Sequence, residues 1–366
     1  MPRLRAYDPD IDYLCYMDAQ GQLQGCPPPE LLQRDWLLAA YRHMLLTRHF
    51  DQRAVELQRT GRLGTYASCL GQEAIATGAG LALQEADLFA PYYRDQATQL
   101  LRGVSMEEIL RYWGGDESGN DFAGPRQDLP NCVPIATQLL HAAGMAVALK
   151  YRQQKQAVLS TCGDGASSRG DFYEALNIAG VWQLPLVILI NNNQWAISVP
   201  RRAQTQARTL AQKAVAAGLP CLQIDGNDVL AVYASVKQAL ERARAGKGPA
   251  LIEALSYRLC DHTTADDMRR YSSADERAQA ATQEPLLRLH RHLQEQHQFS
   301  AAEQEQLLAS IAQRIDTAVE AYLNTPAAPI SRMFDHLYAQ LPEELYVQKE
   351  QARGGRCSRR EEGDHG

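Results

Sequence analysis

Several features that would place a chain in other classes of protein are missing from these 366 residues. No apolar run approaches the roughly 20 residues that a membrane-spanning helix needs. The formal net charge is -6, and no block of Lys or Arg marks a nucleic-acid footprint. Residues 1–13 are polar, carry Arg3 and Arg5, and lack the apolar region of a secretory signal. We therefore expect a cytoplasmic protein that binds neither membrane nor nucleic acid.

The cysteines and glycines also lack two familiar patterns. The chain has 8 Cys, none of them in a Cys-x-x-Cys pair, so neither a zinc site nor a disulfide framework is indicated. Reduced thiols in a cytoplasmic protein are the simplest interpretation. No Gly-x-Gly-x-x-Gly opens a helix after a strand, so a nicotinamide-dependent Rossmann dehydrogenase has no support.

The most informative feature that is present is Gly163-Asp164-Gly165, followed by the run Asn191-Asn192-Asn193. Each follows an apolar run, 157–162 and 184–190, and an amphipathic stretch lies between them. This order predicts strand, loop, helix, strand and loop. Because parallel strands joined by a crossover helix end at the same edge, we expect Asp164 and the Asn run to lie close together. Open α/β sheets bind their ligands at that edge.

The residue types at this edge suit a magnesium diphosphate. Mg²⁺ takes six oxygen ligands and usually keeps substrate phosphates among them. Gly165 lets the backbone approach a phosphate, and Ser168 with Asp171 resembles a capping box, which predicts a helix start facing the same cleft. A lone Gly-Asp-Gly is usually a turn and an Asn run is usually a cap. Found together between buried strands, they favour a cofactor site.

Strands and helices alternate through the middle of the chain, which predicts an α/β fold with a parallel sheet flanked by helices on both faces. The predicted strands are 157–162, 186–190, 220–224 and 250–257, and the helices between them 139–152, 170–183, 208–217 and 229–245. Additional helices are predicted at 29–60, 73–83, 97–101 and 106–112, and after a long polar loop (260–279) at 284–298, 300–323 and 328–341. The predicted organisation is an irregular arm (1–30), an α/β domain (31–345) and a disordered tail (346–366).

The sequence GDGASSRGDFYEALNIAGVWQLPLVILINNNQWAIS resembles the α subunits of two-subunit 2-oxo acid dehydrogenases, which depend on thiamine diphosphate. The resemblance runs from about residue 45 to 341 and is greatest to the bacterial pyruvate dehydrogenase type. Four other motifs carry it, in the same order: RLGTYASCLGQEA at 62–74, PYYRD at 91–95, CVPIATQ at 132–138 and SYRLCDHTTADD at 256–267. The resemblance implies a thiamine diphosphate-binding fold with helical N- and C-terminal additions.

The resemblance also implies roles for individual residues. It assigns magnesium to the side chains of Asp164 and Asn193 and to the carbonyl of Trp195, a position where relatives usually have Tyr or Phe. His262 is the implied catalytic residue and also helps to bind the diphosphate. The remaining implied cofactor contacts are Tyr93, Arg94, Ile135, Gly163, Gly165 and Ala166. Many relatives have His-Gly-His where this chain has Cys260-Asp261-His262, so only one loop histidine remains.

The implied reaction is decarboxylation of pyruvate, with transfer of the acetyl group to a lipoyl arm on an acyltransferase partner. In two-subunit relatives the Glu that activates the cofactor comes from a β subunit, so we expect this chain to be inactive alone and to assemble as two α and two β chains. The resemblance implies that Glu73 is structural or part of the contact between the α and β chains. The alternatives are a branched-chain 2-oxo acid or acetoin dehydrogenase α subunit, with Tyr66 and residues 113–124 as the expected pocket wall, or a non-catalytic subunit.

Overall fold

The computed structural model describes residues 10–361. One compact unit ends at Tyr322 and a second begins at Leu323. The first contains eight strands among its described residues: β1 Tyr13–Leu14, β2 Leu88–Ala90, β3 Val158–Gly163, β4 Leu186–Asn192, β5 Trp195–Ala196, β6 Val199–Pro200, β7 Cys221–Asp225 and β8 Ala250–Leu255. Strands β5 and β6 form an antiparallel pair. The other six form one sheet in the order β1-β7-β8-β4-β3-β2, with every neighbouring pair parallel.

The central strand shows why this sequence forms a covered sheet. All 7 residues of β4 are buried, as expected for a strand with helices on both faces. It pairs with β3 on one side and β8 on the other. Apolar residues that alternate along it contribute to two separate cores, with Ile188 facing one and Val187 the other.

Helices cover both faces of the sheet. Within the described residues, the helices that begin in the first unit are α1 Arg34–Arg59, α2 Glu73–Ala82, α3 Gln96–Arg102, α4 Met106–Trp113, α5 Thr137–Tyr151, α6 Gly170–Trp182, α7 Arg201–Gln204, α8 Val229–Arg244, α9 Ala274–Ala281, α10 Pro285–His297 and α11 Ala301–Asn324. The described part of the second unit contains α12 Arg332–Asp335 and α13 Glu343–Glu361. Leu139 of α5 and Phe172 of α6 lie in the core on one face. Ile75 of α2 and Val232 of α8 lie in the core on the other. The predicted α/β fold is therefore confirmed.

Several local predictions differ from the structure. Where an α-helix was predicted at 208–217, the structure has a 3-10 segment, Ala211–Ala217. The polar loop 260–279 contains a 3-10 turn, Met268–Arg270, and most of α9. Of the helix expected at 328–341, only α12 is present. The very short strands β1 and β2 were not predicted, because two or three residues carry too little alternation to be recognised.

The predicted capping box is also absent. Helix α6 begins at Gly170, with Arg169 at its N-cap and no side chain capping it. Residues Asp164–Ser168 instead form a separate 3-10 turn. The predicted capping box placed the helix start at Ser168, whereas the helix begins two residues further along the chain, at Gly170.

The ends of the chain bear on the predicted division into arm, domain and tail. Within the arm (1–30), residues 1–9 lie outside the described part of the chain, and β1 pairs with β7 as the edge strand of the sheet. The arm, which was predicted to be irregular, therefore contains a strand. The tail (346–366) falls largely on α13, and residues 362–366 lie outside the described part. The three-part division itself stays a prediction.

No helix within residues 10–361 combines the length and the apolar character needed to cross a membrane.

Candidate cofactor site

The site lies where β3 and β4 end. Gly163 at the end of β3 is in register with Asn191 near the end of β4, so the residues that follow the two strands open into one cavity of about 270 Å³. All of the predicted site residues line this cavity: Tyr93, Arg94, Ile135, Gly163, Asp164, Gly165, Ala166, Asn193, Trp195 and His262. Residue 66 and residues 113–124, the expected pocket wall, do not line it.

Asp164 begins the 3-10 turn after β3 and is buried. Its Oδ2 accepts a hydrogen bond of 2.9 Å from Gln204 Nε2. No Lys, Arg or His among residues 10–353, whose side chains the structure describes, forms an ion pair with it. Burial raises the pKa of this carboxyl to about 6, because a carboxylate removed from water is disfavoured. The hydrogen bond from Gln204 and the charge of Arg258 offset only part of this effect.

Two further oxygen donors lie on the loop after β4. Asn193 is buried, and its Nδ2 donates to Gln72 Oε1 at 3.0 Å. Its Oδ1 accepts the Trp195 backbone N–H at 3.2 Å, so both ends of the carboxamide are oriented. The Trp195 carbonyl lies 3.5 Å from Arg258 Nη1. A carboxylate, a carboxamide and a backbone carbonyl are the hard oxygen ligands that suit Mg²⁺.

This donor set contains a single carboxylate. Among the described residues no group of three or more His, Cys, Asp or Glu side chains could hold a metal ion. A Mg²⁺ site with one protein carboxylate is usual where phosphate oxygens supply other positions of the octahedron. The residues therefore fit a magnesium ion that arrives with a phosphate group.

Two buried guanidinium groups supply positive charge beside the cavity. Arg94 is 2% exposed and Arg258 is 0% exposed. Arg94 Nη1 donates to the Ser68 carbonyl at 2.5 Å, and Arg258 Nη2 donates to the Ile197 carbonyl at 2.8 Å. Within the described residues neither forms an ion pair with Asp or Glu. A buried charge without a partner is costly, so this pair favours an anionic ligand.

His262 lies between the two guanidinium groups. Its Nδ1 is 2.9 Å from Arg94 Nη2 and 3.4 Å from Arg258 Nη1. Burial, and then the two positive charges, lower the pKa of His262 to about 3. The loop is fixed by Asp266, whose Oδ2 accepts the His262 backbone N–H at 2.8 Å and also a hydrogen bond from the Tyr271 hydroxyl. The imidazole is therefore neutral at neutral pH in this environment.

The glycine at 165 is required by a close contact. A Cβ built on Gly165 would lie 2.7 Å from the Cβ of Ala196 in β5. Real carbon atoms pack at about 3.5–4.0 Å, so there is no room for a side chain. The 3-10 turn can therefore lie directly against β5, which carries the Trp195 carbonyl.

Sequence reasoning missed Arg258 and Gln204. Arg258 belongs to the SYR motif just after β8, at the same sheet edge as Asp164, and that position was an available signal. Gln204 ends a four-residue helix, α7, with no pattern that marks it. Glu73, in contrast, is fully buried, pairs with Arg48 and accepts the Gly71 N–H at 3.0 Å, which agrees with the structural role expected for it.

Comparison with known proteins shows the family to which this chain belongs. The family model described as "Dehydrogenase E1 component" matches residues 41–331. The 3-methyl-2-oxobutanoate dehydrogenase subunit alpha of Mycobacterium tuberculosis is 41% identical over 326 residues, covering 89% of this chain and 88% of that protein. The pyruvate dehydrogenase E1 component subunit alpha of Mycoplasma genitalium is 37% identical, with 92% and 94% covered. The same-named Staphylococcus aureus protein is 38% identical, with 87% and 86% covered. The chain therefore belongs to the dehydrogenase E1 component family.

Proposed function

We propose that this chain is the α subunit of a 2-oxo acid dehydrogenase and that it binds thiamine diphosphate with Mg²⁺. The family is thiamine diphosphate-dependent. One observation carries the proposal: a single cavity brings together the carboxylate of Asp164 and the guanidinium of Arg94, neither of which forms an ion pair within the described residues. Arg258 contacts His262, which lines the same cavity. A metal diphosphate offers the opposite charge to each, a cation for the carboxylate and an anion for the guanidinium groups.

Each side of the cavity has a role in this proposal. Asp164, Asn193 and the Trp195 carbonyl would hold the metal, as their oxygen donors suit it. The diphosphate would be held by Tyr93, Arg94 and His262 and by the backbone of Gly163, Gly165 and Ala166, with Ile135 against the aminopyrimidine. When bound, thiamine diphosphate supplies the nucleophilic carbon and the electron-accepting ring that decarboxylation of a 2-oxo acid needs.

His262 can act as a neutral hydrogen-bond donor. Because its Nδ1 faces the donating Nη2 of Arg94, the proton of the neutral ring is on Nε2. An Nε2–H group beside the diphosphate can donate to an anion without adding a third positive charge. We propose this as the role of His262, and it requires the low pKa that Arg94 and Arg258 impose.

The proposal includes a β subunit. Asp164 is the only carboxylate among the cavity-lining residues described here, and it is committed to the metal. We propose that the carboxylate that activates the cofactor comes from a β subunit, as the family resemblance implies. Exposed apolar side chains surround the cavity, with Val133 52%, Ile135 44% and Ile197 56% exposed, which suits coverage by a partner. We propose two α and two β chains and a lipoyl-bearing acyltransferase core. The cytoplasmic location stays a prediction.

Pyruvate is the proposed substrate, as the names of the Mycoplasma genitalium and Staphylococcus aureus relatives suggest. A branched-chain acid, 3-methyl-2-oxobutanoate, is the second candidate, because the Mycobacterium tuberculosis relative that carries this name is 41% identical. Acetoin is a third. The cavity wall within this chain does not separate them, because the expected wall residues lie outside the cavity.

The test is to assay the α chain with and without its β subunit, with thiamine diphosphate and Mg²⁺, against pyruvate, 3-methyl-2-oxobutanoate and acetoin. We expect turnover only in the assembled enzyme, with the highest kcat/KM for pyruvate. A preference for the branched-chain acid would move the enzyme to the second candidate and keep the site. An assembled complex that does not bind thiamine diphosphate would overturn the proposal.

A further inference from the structure

A glutamine outside the cavity holds one oxygen of Asp164. Gln204 is the last residue of α7, which packs against the 3-10 turn Asp164–Ser168. Its Nε2 donates to Asp164 Oδ2 at 2.9 Å and lies 3.4 Å from the Val199 carbonyl. Gln204 is half-buried and does not line the cofactor cavity. Its amide therefore reaches the carboxylate from outside the cavity.

The consequence concerns the orientation of the carboxylate. Among the described residues, Gln204 is the side chain that hydrogen-bonds to this carboxylate. Because the bond engages Oδ2, it restricts the rotation of the carboxyl group, to which the backbone N–H groups of Asp164 and Gly165 also contribute, and it leaves Oδ1 without a side-chain partner. A metal ion that binds one oxygen of a carboxylate gains affinity when the other oxygen is held in place, since less orientational freedom is lost on binding.

We propose that Gln204 is a positioning residue for the metal: it holds Asp164 Oδ2 from outside the cavity so that Oδ1 is presented to Mg²⁺. This inference rests on the proposed function, in which Asp164 is a metal ligand. Partners that hydrogen-bond to metal ligands commonly account for about 10- to 100-fold in metal affinity. Helix α7 is thereby linked to the metal site through one hydrogen bond.

The test measures metal affinity in the assembled α–β enzyme, with Mn²⁺ as the probe and free Mn²⁺ followed by electron paramagnetic resonance at saturating thiamine diphosphate. Gln204→Met keeps the length of the side chain and removes the donor, and Gln204→Ala provides a second variant. Gln206→Met changes an exposed glutamine two residues further on and is the matched control. We expect the Mn²⁺ Kd to rise about 10- to 100-fold in both Gln204 variants and to stay unchanged in the control.

Two further measurements separate positioning from general damage. Thiamine diphosphate affinity at saturating Mn²⁺ and the thermal midpoint of the metal-free enzyme are expected to stay as in the wild type. A Mn²⁺ Kd within twofold of wild type in both Gln204 variants overturns the inference. The inference is also overturned if the loss of Mn²⁺ affinity is accompanied by weaker thiamine diphosphate binding and a lower thermal midpoint.

Asp164→Asn, measured in parallel, distinguishes this inference from the proposed function. If Asp164→Asn loses Mn²⁺ and the Gln204 variants keep it, only the role of Gln204 is wrong. If Asp164→Asn binds Mn²⁺ as tightly as wild type, the metal site itself is wrong, and the inference falls with it.

Discussion

Replacing Gly165 by Ala tests whether the cofactor turn must lie directly against β5. The added Cβ would lie 2.7 Å from the Cβ of Ala196, about 1 Å closer than two carbon atoms pack. A methyl group has no rotamer that would relieve the contact. The backbone of the turn or of β5 must therefore move, and each carries a proposed metal ligand, Asp164 or the Trp195 carbonyl.

The magnitude follows from the cost of overpacking. Adding a methyl group to a site without room costs about 1–3 kcal/mol. Since about 1.4 kcal/mol is a factor of ten in an equilibrium constant, the combined loss in folding stability and in cofactor affinity should correspond to about 5- to 150-fold. We expect most of it in affinity, because the 3-10 turn can shift while the buried β3 and β4 stay paired.

The assay is titration of the assembled enzyme with thiamine diphosphate at fixed Mg²⁺, followed by intrinsic fluorescence, since Trp195 lines the cavity. Thermal denaturation without cofactor measures the part lost in stability. Gly170→Ala is the control: a Cβ there meets nothing within 4 Å, and the position lies at the start of α6. This control should bind and unfold like the wild type.

A second variant tests the named contact. In Gly165→Ala combined with Ala196→Gly, the nearest remaining neighbour of the new Cβ is the Ala196 Cα at 3.6 Å, an ordinary contact distance. The double variant should therefore recover most of the lost affinity. Wild-type affinity in Gly165→Ala alone, or no recovery in the double variant, would refute the reasoning.

Three other predictions concern charge. Asp164→Ala should abolish binding of thiamine diphosphate with Mg²⁺ while leaving the circular dichroism spectrum unchanged; unchanged affinity would contradict the site assignment. Arg94→Met should weaken thiamine diphosphate affinity at least tenfold, because Arg94 lines the cavity and about 1.5–3 kcal/mol is typical of hydrogen bonds to charged groups; calorimetric titration would measure it. The folded-state pKa of His262, about 3, lies below the roughly 6.5 of an unfolded chain, so the unfolded state binds this proton first and stability falls as pH drops from about 6.5 toward 3. In denaturant titrations between pH 7 and pH 4, the free energy of unfolding should fall less for His262→Gln than for wild type. If it falls equally in both proteins, the lowered pKa of His262 is wrong.

The site residues that follow the two apolar runs could be predicted from the sequence. Asp164 and Asn193 directly follow two long apolar runs, and a crossover helix brings such strand ends to one edge whatever the rest of the chain does. The resemblance to a known family then identified Arg94 and His262, which no periodicity marks. All of these residues line one cavity in the structure.

Other features depended on contacts between distant segments. Strands β1 and β2 are too short to be recognised alone and exist because they pair with β7 and β3. The helix expected at 328–341 has apolar residues at helical spacing, yet only α12 forms, since propensity is a weak guide when packing decides.

The sequence by itself thus determined the α/β fold and the position of the carboxylate and carboxamide, because both follow from uninterrupted local patterns. Only the tertiary structure decided which groups surround them. The contact of His262 with Arg94 and the hydrogen bond from Gln204 to Asp164 join segments far apart in the chain. Arg258, four residues before His262, is brought against the same ring. Burial of these charges, and the lowered pKa of His262 that results, arise only when the folded chain excludes water from around them.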